Sequence, residues 1–230
     1  MPIRFRKAKS GPEQQLVDRF LESYRDIFAV DGLEITALIE PYAEVGIPDI
    51  LLIVWEKGWQ EKWHPERNNL NKTDIKIIHY ISTFGKRGTT KDAINTLLSF
   101  PNRELEKTFD KLLKADLITV VEDRIKLKDI SHAFFIRQII SVEAKINDWK
   151  NAVLQAQRNQ NFCSHSYLLL PEERINENVL QACDNKLGLL IYSGGKAVVK
   201  KRAQKNQIPG SYFSWMLNEY LGRQNIVTAS

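Results

Sequence analysis

The run IPDILLIVW, from Ile47 to Trp55, restricts the fold of this chain more than any other stretch. Successive side chains of a strand point to opposite sides. After the opening Pro-Asp both sides of this run are apolar, so the strand has no solvent face and must be covered above and below. A central strand of a layered α/β domain meets that demand. Nine residues are too few to cross a bilayer. The basic start MPIRFRKAK, which clusters Arg4, Arg6, Lys7 and Lys9, is not followed by the apolar segment of a secretory signal. A soluble, intracellular, cytoplasmic chain with no membrane partner is expected. The hydrophobic share, 43%, suffices for a sizeable core.

The surroundings of this strand set the organisation. Leu16, Val17, Phe20, Leu21, Tyr24, Ile27 and Phe28 recur at helical spacing, and Pro12 suits a first helical turn, so a helix is expected from Pro12 to about Phe28. A strand over Leu33 to Glu40 follows. After Trp55 the rhythm changes. A polar, turn-rich connection from Glu56 to Lys72 leads to three short helical patterns, opened by Thr73, by Thr89 or Thr90, and by Pro101. ITVVEDRIKLK then reads as a hairpin turning near Glu122 and Asp123.

Beyond Ile130 strands and helices alternate again. Strand material lies between Ala133 and Ile146, a helix over Asp148 to Asn161, a strand over Ser166 to Pro171 and a helix over Glu177 to Lys186. Paired strands then flank Gly194-Gly195, and the helix SYFSWMLNEYLG closes the pattern. Residues 1–69 and 131–230 therefore read as one discontinuous α/β domain and 70–130 as an insertion. Three helices followed by a two-stranded wing resemble the winged-helix family.

Two spots of charge stand out in the apolar strands. Asp is depleted in strands and is almost never buried unpaired, so Asp49 needs a partner. Only Pro48, of eight prolines, precedes an Asp. In the later strand Ile140, Val142, Ala144 and Ile146 share an apolar face. Ser141, Glu143, Lys145 and Asn147 share the other, with Glu143 and Lys145 roughly 6–7 Å apart along the strand. Glu143-Ala144-Lys145 is the only Glu-x-Lys in the chain, and the helical DWKNAVLQAQ follows it. Taken alone, these charges could also be an ordinary ion-pair set.

A Pro-Asp strand, a Glu-x-Lys strand and that helix resemble the PD-(D/E)xK nuclease superfamily. The resemblance implies a restriction endonuclease-like mixed central sheet flanked by helices, and a metal-dependent endonuclease, restriction- or repair-like, that hydrolyses DNA. Asp49 and Glu143 match the ligands of Mg²⁺ or Mn²⁺, and Lys145 matches the lysine that assists the attacking water. No small-molecule cofactor is implied. The chemistry is sound on its own terms, because two nearby carboxylates favour a hard dication with oxygen ligands. Members often carry another Glu on the first helix. Glu13, one turn from Val17, is preferred over the wet-side Glu22, and Glu40 is a weaker candidate. A Gln in the helix after the Lys often contacts the site in similar nucleases, which selects Gln155. The Asp and Glu-x-Lys strands are more than ninety residues apart here. Their pairing requires the insertion to leave and return at neighbouring strands.

The third helix of a winged helix usually enters the major groove. Here it would expose Asn102, Arg103, Lys107 and Lys111, and the wing would offer Arg124 and Lys126. Glu104, Glu106 and Asp110 dilute that face, so protein contacts are the competing use. Net charge is +5, and the stretch from Gly195 to Asn206, with Lys200, Lys201 and Arg202, carries five cations and no acid. That bias suits a polyanion as much as a solvated surface. Cutting both strands of a duplex calls for two active sites, which is compatible with a homodimer. A non-catalytic DNA-binding or regulatory protein on the same scaffold is the alternative.

Overall fold

The computed structural model describes residues 2–6, 10–41, 48–183 and 186–224; Lys7, Lys9 and Ile47 lie outside these. The chain divides into two compact units. The first comprises Met1–Lys57, Ile136–Gly210 and Thr228–Ser230, the second Gly58–Phe135 and Ser211–Val227.

The first unit is α/β, built on a mixed seven-stranded sheet flanked by helices. Its strands are β1 (Ile3–Arg4), β2 (Leu33–Ile39), β3 (Ile50–Glu56), β6 (Ile136–Ala144), β7 (His165–Pro171), β8 (Gly188–Ser193) and β9 (Lys196–Lys201), paired in that spatial order. β2, β3 and β6 run antiparallel to their neighbours in this series, whereas β6, β7 and β8 are parallel. The parallel pairs are joined through α6 (Trp149–Asn159) and α7 (Glu177–Ala182). β3 is third in the sheet and buried along all but its last residue, as its two apolar faces require. One face packs Ile50, Leu52 and Val54 with Ile140 and Val142 beneath Leu16, Val17, Phe20 and Tyr24 of α1 (Pro12–Phe28). The other face packs Leu168, Leu170 and Leu189 beneath Ala152, Val153 and Ala156 of α6. Trp55 pairs with Ile136 and Ile50 with Val142, so the chain leaves β3 and re-enters the sheet as its neighbour β6.

The second unit contains α2 (Lys72–Thr83), α3 (Lys91–Leu98), α4 (Asn102–Lys114), the hairpin of β4 (Ile118–Val121) and β5 (Arg124–Leu127), the short α5 (Ile130–Ala133) and the final helix α8 (Tyr212–Arg223). Asn71, not Thr73, caps α2. Its side chain accepts from the Asp74 amide while Asp74 accepts from the Asn71 amide, a reciprocal box that Thr73 cannot form from inside the first turn. Thr90 caps α3. Thr89 bridges Ile125, adding a third backbone segment beside the hairpin.

The turn-rich connection after Lys57 and helix α8 both go with this unit, although the alternation of strands and helices attaches them to the first. The reason is specific bonding. Asn218 accepts from the Phe135 amide, and Glu219 meets Arg67 in a buried pair that also involves the Ala133 carbonyl. Trp215 packs edge-on to Phe134.

Candidate active site

Asp49 sits just ahead of β3, and Glu143 is the penultimate residue of β6. Because Ile50 pairs with Val142, the two acidic residues fall next to each other at the same end of adjacent strands. Asp49 Oδ2 accepts from the Ala144 amide at 2.9 Å. β6 stops at Ala144, which frees Lys145 from the strand, though its amide still donates to the Leu169 carbonyl. The Lys145 ammonium lies 3.8 Å from Asp49 Oδ2 and donates to Glu13 Oε2 at 3.3 Å. Four charged groups, from α1, β3 and β6, thus meet at one edge of the first unit. Asp49, Lys145 and Glu13 line a cleft of about 410 Å³, together with Glu40, Ile39 and Asn147.

Glu143 differs from the other three. Its side chain is 1% exposed and points to the face covered by α6, so the polar face of this strand is not a solvent face. Asn159 Nδ2, at the end of α6, donates to Oε1 at 2.6 Å. Oε2 is buried with no hydrogen-bond partner among the described residues. Burial, followed by the charge of Asp49, pushes the Glu143 carboxyl up to about 8. Burial also raises Asp49, against the pull of Lys145. The two carboxyl groups are close enough to hydrogen bond when they hold one proton between them. When both ionise, neither can donate and Oε2 is stranded. Burial works against the Lys145 charge, but Asp49, Glu13 and Glu143 outweigh it and hold the ammonium above its ordinary pKa.

The structure brings Asp49, Glu143, Lys145 and Glu13 together. Glu13 is half exposed, and Glu22 lies out in solvent. Gln155 stays apart from Glu143: its Oε1 is buried without a partner, and it is Asn159, one helical turn on, that reaches the carboxylate. Asn159 is absent from the sequence-based candidates because nothing local marks it. Its partner is sixteen residues upstream, and a buried Asn carries no periodic signal.

Among the basic candidates, Lys111 is tied to the buried Asp74 at 2.9 Å, beside the Thr108 hydroxyl, and so serves the interior of the second unit. Asn102 accepts from Asn95, and Arg124 lies 4.0 Å from Asp123. Arg103 and Lys107 are exposed one turn apart on α4 and line a groove of about 510 Å³. Lys126 is half-buried. In the first unit Lys200 and Arg202 are exposed, whereas Lys201 donates to the Cys183 carbonyl.

Among the described residues no cluster of three or more His, Cys, Asp or Glu side chains is placed to hold a metal, and no helix is long and apolar enough to cross a membrane. No family model matches the chain, and neither a curated protein nor a solved structure matches it.

Proposed function

We propose that the chain is a divalent-metal-dependent deoxyribonuclease of the PD-(D/E)xK kind, restriction- or repair-like, with the second unit's helices and hairpin acting as a winged helix that helps hold DNA. The single observation that carries this reading is the meeting of Asp49, Glu143, Lys145 and Glu13 from points up to 132 residues apart. The order of elements α1, β2, β3, β6, α6, β7 supports it, because it puts the Pro-Asp and Glu-x-Lys strands side by side.

The donor set suits Mg²⁺ or Mn²⁺. Mg²⁺ is commonly bound through one or two carboxylates with water completing the shell, so two acids suffice. Glu143 Oε2 is a buried oxygen with no hydrogen-bond partner among the described residues, and Asp49 is its neighbour, so a cation could replace the proton that the two carboxyl groups share. When bound, the cation lowers the pKa of water and offsets charge on the phosphate. Lys145 presents an ammonium at the cleft, fixed from two sides by Asp49 and Glu13, where it can donate to the attacking water or to a phosphate oxygen. Its preorganised charge is worth about 3–4 kcal/mol to a rate. Asp49, fastened to the Ala144 amide, keeps Lys145 in line. Among the basic candidates, Arg103, Lys107, Lys200 and Arg202 are exposed and can meet phosphates; a homodimer would supply a second cleft for the second strand.

A non-catalytic DNA-binding protein on the same scaffold is favoured by one observation. A proton between Asp49 and Glu143, with Lys145 set on Glu13, offsets most of the site's negative charge without a metal. Cleavage of plasmid and linear DNA by the purified protein with Mg²⁺ or Mn²⁺ separates the two. Cutting that disappears in Lys145→Ala while DNA binding persists supports the nuclease. Equal cutting by wild type and variant removes Lys145 from the mechanism, and no cutting by wild type favours the scaffold.

A further inference from the structure

One oxygen of the Glu143 carboxyl group is held and the other, buried near Asp49, has no hydrogen-bond partner among the described residues. Carboxylates turn about their last bond, and a buried one with a single donor adopts the orientation that donor dictates. Asn159 is that donor. Its side chain is 3% exposed, and its Nδ2 lies 2.6 Å from Oε1. The residue is itself immobilised, because it is the last of α6 and its carbonyl accepts from the amides of Phe162 and Cys163 as the chain turns toward β7. Two turns of α6 below it are packed by Ala152, Val153 and Ala156 onto the sheet. Gln155, the other amide on this side of the helix, makes no such bond.

From these contacts we infer that Asn159 is the positioning residue of the proposed metal site: it fixes Oε1 of Glu143 and thereby directs Oε2 at the cation shared with Asp49. This rests on the nuclease reading of the site but concerns a residue outside its signature. The amide is a better choice here than a charged donor. A Lys or Arg at this place would neutralise Glu143 and remove the attraction for a cation, whereas an amide orients the carboxylate and leaves its charge available.

The test is Mn²⁺ binding by the full chain, followed by the electron paramagnetic resonance of free Mn²⁺, with thermal unfolding measured on the same samples. Asn159→Leu keeps the branching and heavy-atom count and removes the donor; Asn159→Ala is titrated beside it, and the variant that unfolds cooperatively is scored. The expected result is a loss of at least about tenfold in Mn²⁺ affinity, the usual effect of removing a partner of a metal ligand, together with a changed spectrum of the bound ion. A merely structural Asn would alter the melting temperature and leave the affinity alone. Unchanged affinity, with binding still lost in Glu143→Gln, overturns the role of Asn159 and spares the metal site. Failure of wild type to bind Mn²⁺ overturns both.

Discussion

Glu219 in the second unit and Glu143 in the first are equally buried, at 1% exposure each, yet their surroundings differ. Glu219 meets the Arg67 guanidinium through both oxygens, at 2.5 and 3.3 Å, with Asn218 adding a donor and Trp63 lying against the guanidinium at 4.0 Å. Every oxygen is satisfied and the charges cancel. Glu143 has one neutral donor, one stranded oxygen and a second carboxylate beside it. The first arrangement can hold two parts of the chain together. The second costs stability in the protein alone, and such costs gather where something else binds.

Breaking the satisfied pair should give the largest effect. Arg67→Met leaves Glu219 buried and uncompensated, and urea unfolding should show a loss of about 3–5 kcal/mol. The double variant Arg67→Met with Glu219→Leu should recover most of that loss. Neither should alter Mn²⁺ binding in the first unit, and a loss of binding there would erase the contrast between the two clusters.

Lys145→Ala should give the next effect, a fall in cleavage on the order of 10²–10³-fold, as for removal of one preorganised donor. Electrophoretic mobility of DNA complexes should be preserved.

The stranded oxygen should be visible in pH dependence. The unfolded chain releases the Glu143 proton near 4.5 and the folded protein only near 8. Between these values the folded state binds the extra proton, so metal-free stability falls as pH rises, by at most about 1.4 kcal/mol per unit, and levels off above 8. Glu143→Gln should remove that slope, and saturating Mg²⁺ should reduce it. Burial lowers His79 and His165 and so adds a slope of the opposite sign at mildly acidic pH, which makes the difference in denaturant midpoint between wild type and Glu143→Gln from pH 5 to 9 the quantity that checks both; a difference that rises with pH would mean that Glu143 is better satisfied than its contacts imply.

Much of this contrast could be read from the residues alone, and some could not. The apolar run after Asp49 demanded a strand covered on both faces, and β3 is one. The stripe from Leu16 to Tyr24 placed α1 against the sheet. The singular Glu-x-Lys and Pro-Asp drew attention to three residues that do converge, because strand pairing across a long insertion is compatible with neighbouring strands. Asn159, the Arg67–Glu219 pair and the engagement of Lys111 with Asp74 depend on contacts between distant segments, and periodicity is blind to those. The contacts that group α8 with the second unit are of the same kind: an amphipathic helix announces that it packs, not where.

The smallest effects are expected on the basic surface. Arg103→Ala and Lys107→Ala should each reduce the salt slope of DNA binding by about 0.9, the value for one phosphate contact, measured by fluorescence anisotropy from 50 to 200 mM salt. Lys111→Ala should instead lower stability, since its ammonium is committed to Asp74. A salt slope insensitive to Arg103 and Lys107 would direct the second unit toward protein partners.

The central claim is that Asp49 and Glu143 form one cation site, and calorimetric titration of Mn²⁺ into the metal-free chain addresses it most directly. Saturable heat in wild type that vanishes in Asp49→Ala is the predicted result. Absence of heat in wild type, or heat undiminished in Asp49→Ala, would contradict it.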